Sequence, residues 1–304
     1  MKIRTKYCIY FRNDGIGART KGLYAMFNVA IKYKLPVFII WDIDPHPQKL
    51  GCPFEILYDS QHYDYVNVPY PGCNPPTLRN VMQQLRDQTI IPHLQDSKRI
   101  TPPVCINTLL NMFFQDSTAI NFTDLEHKRS YTVTDSHLMK YDILIFGRKI
   151  TTPLNYKVRN HTHHNQLIIH PSIIHDVNQF LTDRKLNEPI VCHVRRGDIS
   201  TTARAFPLKC FFDVIDKLPK KLPIIVCTEN FSVISEFQKK YSDRQVENYP
   251  VTSFGRQNTE QIRNAMIDFV LISKAKHAVI DGVSHFCLSA VCYGNVQNVH
   301  VKST

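Results

Sequence analysis

The run Ile190-Val191-Cys192-His193-Val194 constrains this chain most. A short, almost wholly apolar, β-branched segment is a strand buried on both faces. Such strands belong to parallel sheets covered by helices. The run breaks off into Arg195-Arg196-Gly197-Asp198. In open α/β sheets the carboxyl ends of the strands carry the ligand-binding groups. Two guanidiniums there make a forked, permanently cationic clamp suited to a diphosphate.

The alternation that such a strand demands runs through much of the chain. Tyr7–Phe11 reads as a strand and Asn13-Asp14-Gly15-Ile16-Gly17 as a tight turn. A helix from about Thr20 to Lys34 follows, with Leu23, Met26, Phe27, Ala30 and Ile31 on one face. Pro36 ends it, and Val37–Trp41 is the next strand. Residues 45 to 135 differ. Prolines from Pro45 to Pro103 break every periodicity, and we expect long loops and short helices there. Tyr141–Phe146 resumes as a strand. The polar stretch His161-Thr162-His163-His164 marks a break, which gives domains of 1–160 and 161–304.

The second half repeats β and α. Helices are expected over Ile173–Leu181, Leu208–Leu218, Ser232–Tyr241, Thr259–Lys274 and His285–Tyr293. Strands are expected at Pro223–Cys227, Ala278–Ile280 and Gln297–Val301. Ser284 reads as an N-cap and Gly294 as a stop. This is a Rossmann-like half.

Composition narrows the function class. The formal charge is +11 over 304 residues, which implies an anionic partner. Basic residues are dispersed rather than gathered in a run, so no nucleic-acid partner is expected. No window is apolar enough for a membrane span, and no apolar leader precedes the first strand. The nine cysteines show no C-x-x-C pair and read as free thiols in a reducing, cytoplasmic compartment.

Several strand ends carry further polar groups. Gly15 and Gly17 allow close backbone approach to a ligand, and Asp14 beside them is a general-base candidate. Asp42-Ile43-Asp44 spells a D-x-D, which reads as a divalent-metal site, as acceptor-side carboxylates or as a plain strand-end turn. Thr228-Glu229-Asn230 also follows a strand, and its carboxylate reads either as an acceptor for a guanine edge or as a cap for the next helix. Asp281-Gly282-Val283-Ser284-His285 places a helix amino end at a strand end, which reads either as a phosphate site or as an ordinary capped helix.

Three of these blocks, in order, resemble the GDP-fucose-dependent fucosyltransferases of the α1,2, α1,6 and protein O-fucosyltransferase type. They are His193-Val194-Arg195-Arg196-Gly197-Asp198, Ile224 through Asn230, and Ile267-Asp268-Phe269 through Ser284-His285-Phe286. The Asp14–Gly17 turn is similar to that family's N-terminal Gly-x-Gly. The resemblance implies an α/β fold of GT-B type, with two Rossmann-like domains facing across a cleft. It also implies an inverting, metal-independent transfer of fucose from GDP-fucose to a glycan acceptor, with no further cofactor. Carried over, Arg195 and Arg196 hold the diphosphate and His193 the nucleotide. Gly15, Gly17, Asp198, Thr228, Glu229, Asp281, Ser284 and His285 complete the donor site. The chain departs from the pattern where α1,6-type members carry a Glu after Arg-Arg: Thr201–Phe206 holds no carboxylate. The base is therefore sought among Asp14, Asp42 and Asp44. Transfer of GDP-rhamnose or GDP-mannose, or binding without catalysis, are the alternatives.

Overall fold

The computed structural model describes residues 5–12, 15–43, 51–69, 77–95, 99–115, 119–121, 139–146, 167–196, 206–251, 258–281 and 284–302. The chain divides into two compact units. Residues 1–155 and 162–170 fall in the first, and most of 171–304 in the second. The expected boundary at 155–166 lies outside the described residues. Leu167–His170 belongs with the first unit: Asp59 N–H donates to Ile168 O (2.8 Å), and His170 N–H to Leu57 O (2.9 Å).

In the first unit, strand β1 (Tyr7–Arg12) leads into helix α1 (Ile16–Tyr33), then strand β2 (Val37–Ile43). Helix α2 (Phe54–Leu57) and strand β3 (Asp64–Pro69) come next. Helices α3 (Leu78–Arg86) and α4 (Ile106–Phe114) precede strands β4 (Ala119–Asn121) and β5 (Ile143–Phe146). All strands pair in parallel in the order β3-β2-β1-β5-β4. Helix α1 begins about four residues earlier than the periodicity suggested, because Gly15 in extended geometry (φ −67°, ψ 166°) serves as its N-cap. Gly22 lets α1 lie on the sheet. A Cβ there would sit 2.8 Å from Cε2 of Tyr10.

The proline-rich stretch contains more sheet than expected. Strand β3 runs beside β2 from Phe38↔Asp64 to Ile43↔Pro69. Buried Asp64 then ties down the chain that follows. Its Oδ1 accepts from Gln95 N–H (2.8 Å), and its Oδ2 accepts from Val104 N–H (3.1 Å) and Arg99 Nη1 (2.6 Å). A buried carboxylate with three donors is fully satisfied, so the prolines here shape a pinned loop.

In the second unit, helix α5 (Pro171–Asp183) is followed by strand β6 (Ile190–Val194), helix α6 (Leu208–Ile215), strand β7 (Ile224–Thr228), helix α7 (Phe231–Lys240) and strand β8 (Val246–Glu247). Helix α8 (Thr259–Ser273), strand β9 (His277–Asp281), helix α9 (His285–Tyr293) and strand β10 (Asn298–Lys302) complete it. The parallel order is β10-β9-β6-β7-β8. The chain builds outward on one side of β6, then returns to its other side. That reversal is the topological switch point of a doubly wound sheet, and it lies between β6 and β9. Ile190, Cys192, Val194, Ile224 and Val226 pack with Phe211, Phe237 and Val279 into the core beneath it. Among the described residues no helix is long and apolar enough to cross a membrane.

Gly294, the C-cap of α9, lies against the end of α8: a Cβ would fall 1.8 Å from the Ser273 carbonyl oxygen. Gly294→Ala is expected to cost about 3 kcal/mol through backbone displacement. Calorimetry should read this as a Tm loss of roughly 5–10 °C.

Candidate functional site

Strand β6 delivers His193 and the two arginines, β7 delivers Thr228 and Glu229, and β9 delivers Asp281. Because these strands are parallel, all three carboxyl ends open on one edge. His193 is 8% exposed, and its ring lies tilted 5.5 Å from that of Phe286 in the first turn of α9. Among the described residues its Nδ1 is buried without a hydrogen-bond partner. Burial lowers its pKa, while the charges of Asp281 and Glu229 oppose that and Arg195 adds to it. Burial thus favours the neutral imidazole, whose Nδ1 has no partner among these residues.

The two arginines have different surroundings. Arg196 Nη2 donates to Phe206 O (2.6 Å) and its Nη1 to Arg195 O (3.2 Å). Its fork therefore joins the backbone after β6 to the backbone before α6. Arg195 interacts electrostatically with His193 and with Cys287 in α9, which sets its charge beside the β9–α9 corner. Thr228 Oγ1 donates to Val194 O (2.8 Å) and holds the ends of β6 and β7 together. Asp281, 4% exposed, accepts from Ser284 N–H through Oδ1 (2.6 Å). Ser284 Oγ accepts from Cys287 N–H (3.5 Å), which caps α9. His285 is exposed at the first position of that helix. The sequence thus led to residues that meet at one edge. Asp198 and Asp14 lie outside the described residues. Gly15 caps α1 and Gly17 lies in its first turn, in the first unit.

One residue of the cluster was quoted in the sequence blocks without being singled out. Asp268, on α8, accepts a hydrogen bond from the Cys227 thiol and senses the charge of Glu229. Burial pushes its carboxyl from the usual 3.8 up to about 7. The charge of Glu229 adds to this rise, and the thiol hydrogen bond opposes it. The available signal was one carboxylate within the apolar face Ile262, Met266, Phe269 and Val270.

The D-x-D reading meets a different environment. Asp42 is 1% exposed. Arg19, itself wholly buried, donates to Asp42 O (2.8 Å), and its Nη2 lies 3.7 Å from Asp42 Oδ2. The Arg19 guanidinium also covers the Trp41 ring at 4.5 Å. The Asp42 carboxylate is an internal counter-ion. Asp44 lies outside the described residues. Among those residues no group of three or more His, Cys, Asp or Glu is arranged to hold a metal ion.

No family profile and no curated protein matches the sequence. Solved structures do match in fold. NodZ fucosyltransferase from Bradyrhizobium covers 95% of this chain and 93% of its own, at 14% identity and a TM-score of 0.53. The chain has the fold of the fucosyltransferases. A mutant of Arabidopsis thaliana FUT1 in complex with GDP aligns over 98% of this chain and 71% of its own, at 13% identity and a TM-score of 0.55. POFUT1 in complex with GDP-fucose aligns over 99% and 98%, at 10% identity and a TM-score of 0.55. The expected α/β class is borne out by the two parallel sheets and their interleaved helices.

Asp268 gives a test of stability against pH. Its folded pKa is raised, so its contribution is full below about pH 4 and is lost as pH rises through 7. Asp268→Asn removes that loss. Its Tm at pH 8 is expected to exceed wild type by a few °C, on the order seen for relieved active-site groups, with no gain at pH 4. A variant less stable than wild type at pH 8 would show that the carboxylate supports the fold.

Proposed function

We propose that this chain is a glycosyltransferase that moves L-fucose from GDP-fucose to a glycan hydroxyl. One observation carries the reading. Buried His193, whose Nδ1 has no partner among the described residues and whose pKa burial lowers, stands with Arg195, Glu229 and Asp281 at the switch point of a Rossmann-like unit. That unit belongs to a fold shared with enzymes solved holding GDP or GDP-fucose.

Each residue then has a task. Arg195 stabilises the charge that grows on the diphosphate as the sugar departs. Arg196 positions it, through the carbonyls of Arg195 and Phe206. The amino end of α9, capped by Ser284 and braced by Asp281, presents backbone N–H groups to phosphate. His193 donates to the nucleotide through Nδ1. Glu229 and Asp268 accept from guanine, whose N1–H and exocyclic amine form a two-donor edge. Uracil offers one donor between two acceptors, so carboxylates disfavour it.

The acceptor oxygen attacks the anomeric carbon on the face opposite GDP. The new C–O bond forms as the bond to the diphosphate breaks, and the configuration inverts. The fixed guanidinium charge takes the role that a divalent cation fills elsewhere, so the transfer needs no metal. Asp14 and Asp44 remain as acceptors of the hydroxyl proton, since Asp42 is committed to Arg19. The eight described cysteines are all free, which suits a reducing compartment such as the cytoplasm.

Calorimetric titration with GDP, UDP and dTDP, each with and without EDTA, tests this directly. GDP alone should bind, with micromolar affinity that EDTA leaves unchanged and that weakens as pH falls through 7 and Asp268 protonates. Preference for UDP, or loss of binding in EDTA, overturns the assignment. Release of fucose from GDP-fucose separates an enzyme from a binding protein. In transfer assays Arg195→Ala should lower kcat/KM at least about 10²-fold at unchanged Tm. Arg196→Ala should lower both activity and Tm. If Arg196→Ala leaves Tm untouched, that guanidinium contacts the diphosphate itself.

A further inference from the structure

The amino ends of the same strands carry a second concentration of charge. Three consecutive connections, 184–189 before β6, 216–223 before β7 and 241–245 before β8, border an open cavity of about 320 Å³. Lys185, Lys220, Lys221 and Arg244 line it, against the single carboxylate of Asp243. A five-residue strand rises about 16 Å, so this cavity and the cluster around His193 lie at opposite ends of β6.

Some of the positive charge here serves the fold. Helices α5, α6 and α7 all end at this side, and cations near helix carboxyl ends are stabilising. Arg244 Nη2 donates to Leu222 O (2.7 Å) and Pro219 O (3.3 Å). Lys239 and Lys240 occupy the last turn of α7, and Lys240 pairs with Asp216 (3.3 Å). Lys185, Lys220 and Lys221 do nothing comparable. Among the described residues their ammonium groups make no hydrogen bond and no ion pair. Lys221 senses Glu188 only at longer range, and that carboxylate is held by Lys276 at 2.9 Å. Lys185 also occupies a left-handed position (φ 53°) after α5, where glycine is favoured.

We propose that this cavity binds a small soluble polyanion carrying two or more phosphate- or sulfate-class groups. Three exposed lysines and one arginine line this cavity against a single carboxylate, and a multivalent anion is the ligand that complements such an excess of positive charge. Lysine suits this ligand because it acts as a mobile point charge and imposes no planar geometry. The volume lies at the lower end of the range for small-molecule pockets, roughly 300–1,000 Å³. The inference is independent of the donor-site reading.

The test is calorimetric titration of the full chain with inorganic pyrophosphate at low ionic strength. The Arg195→Ala background removes the donor-site contribution. The double change Lys220→Glu with Lys221→Glu should weaken pyrophosphate at least tenfold. In an otherwise wild-type chain the same pair should leave GDP affinity unchanged, which also shows that the fold is intact. Lys185→Gly should weaken pyrophosphate while raising Tm. Pyrophosphate affinity that stays within twofold after the double charge reversal overturns the proposal. So does capture of the chain on phosphatidate-containing vesicles that pyrophosphate does not displace, since the charge then serves a membrane surface.

Discussion

Parallel pairing of β6, β7 and β9 is the constraint on which the second unit depends. Parallel strands present all their carboxyl ends at one edge and all their amino ends at the other. Residues from three separate stretches of sequence thereby meet without any specific contact being needed to gather them. Hydrogen bonds then fix details: Thr228 to the Val194 carbonyl, Ser284 N–H to Asp281, Arg196 to Phe206. Each ties a strand end or the backbone just beyond one, where the ladder itself has stopped.

Much of this was legible in the sequence. Ile190–Val194 and His285–Tyr293 have the bounds that their apolar runs and caps suggested, because both signals are local. Strand β3 was not legible. Its residues Asp64–Pro69 alternate poorly and end in proline, and what makes them a strand is the neighbouring β2. Asp64 holds its loop through partners 31, 35 and 40 residues away, and no motif spacing encodes such distances. The different environments of the two arginines were hidden for a related reason: the acceptor for Arg196 is a backbone carbonyl, which has no side-chain signature. The D-x-D at Asp42 shows the opposite hazard. The spacing suggested a ligand site, and burial beside Arg19 gives that carboxylate an internal role.

Asp268 and Asp64 illustrate how differently a fold treats carboxylates. Asp64 receives three donors and organises a loop. Asp268 receives a thiol hydrogen bond and faces another acid, so its charged form is disfavoured near neutral pH. A fold that keeps such a group retains strain at the strand edge where the other polar groups converge, which is the usual location of functional residues.

The packing of Trp41 has a spectroscopic consequence. It is the chain's single tryptophan, fully buried and edge-on to Phe54 (5.3 Å) and Tyr58 (5.8 Å) beneath the Arg19 guanidinium. Indole emission therefore reports the first unit alone, while the strand ends around His193 belong to the second. A nucleotide that shifts the emission-detected melting curve has transmitted its binding energy from one unit to the other. One that shifts only the calorimetric trace has left the two thermodynamically separate. A chromophore on the far side of the domain division thus serves as a built-in gauge of cooperativity between the halves.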